Sequence, residues 1–506
     1  MSPLGFTLSV PTAFACALVF FPFVFLLHRK AFALRSQHPP GPKPFPLIGN
    51  LLQIPTINPE EIFRDWFDIY GDVIFLRIFS QPMVVLSTFE TAQELLEKRS
   101  AIYSDRPRFV LFSELYAISS IVTRSYLMRF TGWDGKTPRL ICDTAPDFVN
   151  TVASYIRRLT NKRRTHIRRF AAATILKVTY GADVKSVDDV YVQLAERAGT
   201  LTVQSGTPAA TLVDFFPFLR HIPTWAPLSG FKRNAEVVKE AVDKMMNVPY
   251  EMVKKEMGSG TVSPCLTSRL LERYSRSGAI PVTHEDEQDI KGVAGTMFAA
   301  AEDTTICVLS SFVLAMVLHQ EVFKKAQEEM DRIIGVDRLP TSEDRDSLPY
   351  LESVIKETLR QMESARLMED DIYSTPNGTY HLPRGSTVIV NIYAILKSCP
   401  EPEVFNPNRH TGSVYHVNPI EVVFGFGRRK CPGRHFADAG VWLSIARMVA
   451  TMHIAKSKDD MGREITPEVA FESGFVRHPK QFTCSMKPRS EKIGRMIEQS
   501  FAEMDF

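Results

Sequence analysis

Cysteine is scarce in this chain: seven of 506 residues, an odd number. No two lie close together. Disulfide-stapled secreted domains carry even, closely spaced sets, so that class is excluded and a reducing compartment is expected. Charge excess is also lacking, because 60 Lys and Arg face 57 Asp and Glu for a net +3. Such a balance gives no reason to expect a nucleic-acid partner. No low-complexity linker, repeat or block of like charge divides the chain after its first fifty residues, so one large domain is expected, although the length would allow more. The hydrophobic share of 44% is ordinary and ample for a core.

Residues 1–27 contain no charged side chain. Leu4 to Leu27 is long enough to cross a bilayer as a helix. His28, Arg29, Lys30 and Arg35 follow at once, which places the rest of the chain on the cytosolic side. A cleaved signal would want its positive charges before the apolar core and a small-residue cleavage site after it; both are missing. Pro11 and Pro22 are tolerable in a membrane helix. Pro39-Pro40-Gly41-Pro42-Lys43-Pro44-Phe45-Pro46 then reads as a stiff, extended spacer. The expected layout is a single-pass anchor over 4–27, a basic and proline-rich hinge over 28–50, a globular body over 51–490 and a tail over 491–506.

Within the body, Val73–Ile78 and Met83–Leu86 are β-branched runs around Ser80-Gln81-Pro82, a hairpin signature. Phe89–Lys98 reads as helical. So does Pro146–Val178, whose arginines and lysines suit a solvated face or an acidic partner protein. Phe215-Phe216-Pro217-Phe218-Leu219 and Trp225 form an aromatic, proline-broken loop, suited either to burial or to dipping into lipid beside a substrate entry. Glu285–Ile334 reads as one or two long helices with an apolar middle, and Ile465–Phe482 as a small terminal sheet turning at Gly474. The expected fold class is mostly α with minor β at both ends.

The stretch Phe424-Gly425-Phe426-Gly427-Arg428-Arg429-Lys430-Cys431-Pro432-Gly433 carries the most specific chemistry. A thiolate is the soft, anionic ligand that an iron porphyrin takes when oxygen must be cleaved, because it pushes electron density toward the O–O bond. Gly427 and Gly433 let backbone approach a flat macrocycle where a Cβ would collide. Arg429 can reach a haem propionate, and Phe424 would keep water off the sulfur. The competing reading is a buried, inert cysteine in a glycine-bearing turn. It leaves the other filled positions unexplained. Upstream, Ala299-Ala300-Ala301-Glu302-Asp303-Thr304-Thr305 interrupts an apolar helix with an acid and an alcohol. Thr304 can bond back to the carbonyl of Ala300 and loosen the helix. Asp303 could relay protons and Thr304 could hold water or bound oxygen, while small Ala300 and Ala301 leave room for dioxygen. A satisfied polar patch in a packing helix is the plainer alternative. Glu357 and Arg360 share one helix face, most often a surface pair of little worth, and Arg409 follows in Phe405-Asn406-Pro407-Asn408-Arg409.

These residues match the haem signature of the cytochrome P450 family, Phe-x-x-Gly-x-Arg-x-Cys-x-Gly, without a gap. The helix motif resembles the family's Ala/Gly-Gly-x-Asp/Glu-Thr pattern, with Ala301 where Gly is usual. His166–Leu176 and the cysteine segment are similar to fungal secondary-metabolism members, including the branch of O-methylsterigmatocystin oxidoreductase. The resemblance implies a single P450-like domain with haem (iron protoporphyrin IX), Cys431 as its axial thiolate, and Glu357, Arg360 and Arg409 as a buried brace for the cysteine loop. It implies electrons from NADPH through a cytochrome P450 reductase, an endoplasmic-reticulum membrane, and a hydrophobic substrate, terpenoid or polyketide. Three stretches depart from the pattern. The Trp-x-x-x-Arg helix is missing after Ser104-Asp105-Arg106-Pro107, since Trp133 has no arginine four residues on. Gln361–Asp371 lacks the usual proline-rich strand, with Arg366 the only substitute. Tyr393–Phe405 is short, with Lys397 near where histidine is common. Two other readings therefore stand beside a monooxygenase: a non-catalytic member whose pocket is incomplete through lost coding segments or decay, and a haem-thiolate isomerase or dehydratase.

Overall fold

The computed structural model describes residues 38–104, 109–115, 163–184, 189–205, 211–227, 229–275, 281–361, 372–375, 378–412, 417–472 and 476–495. The expected membrane anchor, the Trp133 segment, Arg366 and Gly474 lie outside them. The helices are α1 (Pro59–Tyr70), α2 (Phe89–Gln93), α3 (Arg163–Tyr180), α4 (Val190–Gln204), α5 (Leu212–Phe215), α6 (Gly230–Ser259), α7 (Leu266–Tyr274), α8 (His284–Leu318), α9 (Gln320–Ile333), α10 (Pro349–Gln361), α11 (Ile392–Lys397), α12 (Pro419–Val423) and α13 (Arg434–Thr451). The strands are β1 (Val73–Ile78), β2 (Gln81–Leu86), β3 (Ile372–Thr375), β4 (Gly378–His381), β5 (Thr387–Val390), β6 (Met452–Lys458), β7 (Glu464–Ile465) and β8 (Cys484–Pro488). Helix dominates, with minor sheet, as the sequence pattern predicts.

Helix α8 is the axis of the fold. Its 35 residues start at a reciprocal cap, in which Thr283 accepts from the Asp286 N–H and Asp286 from the Thr283 N–H. That cap satisfies two of the orphan donors every helix start leaves. At 1.5 Å per residue it is about 50 Å long, and α3, α6, α7, α10, α13 and β6 all pack on it. Its apolar middle therefore faces protein on most sides: Phe298, Ile306, Leu309, Phe312, Val313 and Val317 are buried. Among the described residues it is the one helix long and apolar enough to cross a bilayer, but here it serves as the core. Of the one or two long helices expected over Glu285–Ile334, the structure has two: His319 leaves helical geometry, and α9 restarts at Gln320.

The first sheet has the order β1-β2-β5, with β1 and β2 antiparallel in the register Val73↔Leu86 to Ile78↔Gln81. Alternation along the strands sends Ile74, Leu76 and Val85 to one face, against Phe63 and Trp66 of α1. Val84, Leu86, Val388 and Val390 go to the other, against Leu95, Leu96 and Phe426. The hairpin thus carries a core on both faces, and the second core reaches into the cysteine loop. The proline-rich stretch lies on the edge of this sheet: the Phe75 N–H bonds to the Pro40 carbonyl at 3.0 Å, and the Asn50 N–H to that of Arg77 at 2.6 Å.

Two elements differ from expectation. Helix α2 widens after Gln93 into a π-turn over Glu94–Lys98. The terminal sheet has the order β7-β6-β8, so its main pair, Met452–Lys458 and Cys484–Pro488, flanks the run that was expected to form it. Pro467 and Pro479 lack the N–H a ladder needs. Among the described residues of that run, strand pairing is confined to Ile465, which with Glu464 forms β7, and to a bridge between Phe471 and Pro479.

Candidate active site

The cysteine loop runs from the end of α12 to the start of α13 and is closed by its own backbone. The Cys431 N–H bonds to the Phe424 carbonyl at 2.8 Å, and Lys430 N–H to that of Gly427 at 3.1 Å. Phe424 thus acts here through its main chain, while Phe426 is the buried ring, 6.0 Å from Phe89. Gly427 sits at φ +55°, and a Cβ there would meet the Leu96 carbonyl oxygen at 1.8 Å. Whatever room a cofactor needs there, the clearance at Gly427 is required by the π-turn, which packs the loop onto the second core. Gly433 is different, because a Cβ there would meet, among the described residues other than its chain neighbours, only the Cys431 sulfur, at 4.0 Å. Burial pushes the Cys431 thiol up, while the Gly433 N–H and the Arg434 charge pull it down. Arg429 donates from Nε to the Ser104 carbonyl at 2.5 Å.

The acid–alcohol motif lies on α8, which packs against α13, the helix that follows the loop. Thr304 Oγ1 donates to the Ala300 carbonyl at 2.9 Å. That bond commits the hydroxyl proton and leaves the oxygen to act as an acceptor. Asp303 is half-exposed and meets His478 Nε2 at 2.8 Å through Oδ1. Sequence reasoning missed this partner, since 175 residues separate the two. One turn further on, Cys307 Sγ donates to the Arg477 carbonyl at 3.2 Å. Burial and then the Asp303 charge push that thiol up to about 12, so it stays a donor.

Glu357 and Arg360 are not a surface pair. Both side chains are completely buried. Arg360 grips the carboxylate with Nε at 2.8 Å and a second nitrogen at 3.0 Å. Arg409 Nε adds a contact at 3.1 Å, His410 Nε2 one at 2.8 Å and the Asn406 N–H one at 2.9 Å. His410, adjacent to Arg409, is a member the sequence reading did not include. The arginines spend their remaining donors on backbone: Arg360 on Pro402 at 2.9 Å, Arg409 on Pro400 at 2.9 Å and Val404 at 3.0 Å. Burial would raise the Glu357 pKa, but hydrogen bonds from His410 and Arg360 outweigh it and hold the carboxylate at about 2. The network ties α10 to the 396–410 segment, while α12, which opens the cysteine loop, packs on α10 directly. A second clamp fixes α13: Arg345 binds Asp438 at 2.6 and 3.0 Å and Glu352 of α10 at 3.0 and 3.1 Å.

A crevice between α8, α3 and α13 is lined by Ala301 and Thr305 of α8, Ala171, Thr174 and Ile175 of α3, and Phe436, Ala437, Gly440 and Val441 of α13. Its lining is small and apolar. Among the described residues no group of three His, Cys, Asp or Glu side chains could hold a bare metal ion. A lone soft sulfur, partly buried and beside a glycine, suits a metal that arrives in its own macrocycle. The residues present therefore fit haem, with the open side of Gly433 leaving the approach to the sulfur clear.

Comparison with known proteins agrees. The family model described as Cytochrome P450 matches residues 39–486. The chain is 36% identical to "Cytochrome P450 monooxygenase 176" of Postia placenta, covering 92% of this chain and 93% of that protein. It is 38% identical to "Cytochrome P450 monooxygenase 136" of the same fungus, over 91% and 90%. To "Cytochrome P450 monooxygenase claR" of Ampulloclitocybe clavipes it is 34% identical, over 92% and 88%. Members of this family are oxidoreductases that use haem on a cysteine thiolate, with electrons passed from NADPH by a reductase. The chain belongs to the cytochrome P450 family.

Proposed function

We propose that the protein is a membrane-anchored monooxygenase that inserts one oxygen atom of O2 into a hydrophobic small molecule, a terpenoid or polyketide of fungal secondary metabolism. Electrons come from NADPH through a cytochrome P450 reductase. The observation that carries this reading is the shared crevice, which brings the acid–alcohol helix and the helix following Cys431 to one apolar space. Cys431 would hold the haem iron through its thiolate, and the haem would supply oxygen activation that no side chain can. The remaining roles belong to the chain. The apolar lining excludes water, the Ala301 side chain takes little room, and Thr304 accepts a hydrogen bond with its free lone pairs. Asp303 carries protons inward from solvent, to which it is half open. Glu357, Arg360 and Arg409 hold the 396–410 segment.

The body lies on the cytosolic face of the endoplasmic reticulum, tethered by residues 4–27. A second lipid contact is supported by the aromatic loop. Phe218 is 67% and Trp225 83% exposed, as is Leu47 at 89%. Phe79 links these elements into one face: its ring packs on Phe215 at 5.2 Å and Phe216 at 4.9 Å, and its N–H bonds to the Ile48 carbonyl. Single exposed apolar residues are ordinary, but contiguous ones mark an interaction surface.

The test is carbon monoxide difference spectroscopy on the reduced protein supplied with hemin. Wild type is expected to give the strongly red-shifted band of thiolate-ligated haem, and Cys431→Ser to lose it. A variant that keeps the band, or a wild type that stays colourless, refutes the assignment.

A further inference from the structure

We propose that His478 is the positioning partner of Asp303, holding its carboxylate so that one oxygen stays aimed at the oxygen-binding side of α8. The proposal rests on the reading of Asp303 and Thr304 as the proton-handling pair, and extends it to a residue in the C-terminal segment. The contact is direct, at 2.8 Å between His478 Nε2 and Asp303 Oδ1. His478 Nδ1 is buried and makes no hydrogen bond among the described residues. In a neutral ring one nitrogen donates and the other accepts, and the nitrogen with an acceptor in reach is Nε2. The ring therefore donates to Oδ1. Asp303 Oδ2 makes no hydrogen bond among the described residues, so one carboxylate oxygen is left to take up and release protons.

The histidine is itself held from three sides. Arg477, its neighbour, donates to Glu60 of α1 at 2.8 Å and lies 5.9 Å from the Phe471 ring. The Arg477 carbonyl receives the Cys307 thiol, one turn beyond Asp303 on the same helix. The His478 carbonyl accepts the Glu472 N–H at 2.8 Å. Residues 303 and 307 thus both meet residues 477 and 478, and the C-terminal segment docks on α8 at the acid–alcohol motif. A half-exposed aspartate without such a partner would sample several rotamers. With it, the carboxylate is held in one geometry, which is what a proton-delivering group needs. No proton leaves the pair in this role: His478 keeps its Nε2 hydrogen while protons pass through Oδ2.

The experiment compares wild type, His478→Leu, His478→Gln and Asp303→Asn, loaded with haem and paired with a P450 reductase, using 7-ethoxycoumarin as the probe. Gln retains a donor for Oδ1; Leu does not. Expected for His478→Leu is a fall of about three- to tenfold in product per NADPH, with matching hydrogen peroxide release and a larger solvent deuterium isotope effect. Turnover driven by added hydrogen peroxide, which bypasses proton delivery, should fall less than about twofold. His478→Gln should recover at least about half of the lost coupling. A second readout needs no turnover: the infrared C–O stretch of the reduced carbon monoxide complex should shift in His478→Leu and return toward wild type in His478→Gln. An unshifted stretch, unchanged coupling in His478→Leu, or equal losses in the NADPH- and peroxide-driven reactions without rescue by Gln would each overturn the role. If Asp303→Asn loses coupling while His478→Leu does not, the proton-handling reading survives and this extension falls. If Asp303→Asn is also without effect, both fall.

Discussion

Replacing Glu357 by glutamine tests the buried brace most severely. The substitution keeps shape and removes one negative charge. Two guanidinium groups and one imidazole, all within 3.1 Å of that carboxylate and almost wholly buried, lose their shared anion, and an amide NH2 replaces one of the two acceptor oxygens. The backbone carbonyls of Pro400, Pro402 and Val404 remain, but none carries charge. Breaking a buried ion pair from one side costs about 3–5 kcal/mol, because the surviving charge stays desolvated. An independent route gives a similar size. A carboxyl moved from an ordinary 4.5 to about 2 contributes about 3 kcal/mol at neutral pH, at about 1.4 kcal/mol per unit. The sign follows from the depressed pKa: the contribution is complete above the unfolded-state value near 4.5 and drains away as pH falls toward about 2. Urea unfolding followed by the absorbance of the haem-loaded protein should show Glu357→Gln losing about 3–5 kcal/mol at pH 7. The gap to wild type should narrow steadily below pH about 4.5. Combining Glu357→Gln with Arg360→Met should cost less than the two singles summed. A variant within about 1 kcal/mol of wild type at pH 7, or a gap that is the same at pH 3 as at pH 7, would refute the reasoning.

Three shorter predictions follow from the same geometry. Gly427→Ala forces a Cβ against the Leu96 carbonyl at 1.8 Å and should prevent stable haem loading. Gly425→Ala, at φ +74° with nothing within 4 Å, should cost only about 1–2 kcal/mol of stability; equal behaviour of the two, seen by thermal unfolding, would contradict the account. The double variant Phe218→Ser/Trp225→Ser should lower vesicle binding of protein lacking residues 1–37 by about a hundredfold, since removing two exposed aromatic side chains forfeits about 3 kcal/mol of apolar burial; unchanged co-sedimentation would place the aromatic loop away from lipid. Arg345→Gln should loosen α13, because it unlinks Asp438 and Glu352. The loss should be about 1–3 kcal/mol by thermal unfolding, with a smaller effect telling against the clamp.

Short-range chemistry was legible in the chain alone. The spacing around Cys431, the hairpin of Val73–Ile78 and Gln81–Leu86, the bond from Thr304 to Ala300 and the i, i+3 pairing of Glu357 with Arg360 all arise within a few residues. Local periodicity and hydrogen-bonding habit are enough to specify them. What pattern could not reveal was who arrives from elsewhere. His478 reaches Asp303 across 175 residues, and His410 and the carbonyls of 400–404 complete the Glu357 cage. Gly427 owes its clearance to the Leu96 carbonyl, on a π-turn no periodicity announces. The terminal sheet formed from the flanks of the expected run, because strand pairing depends on a partner and prolines forbid part of the ladder. Composition settles which residues can do chemistry; only the packing of α8, α10 and the C-terminal segment against one another decides which of them meet.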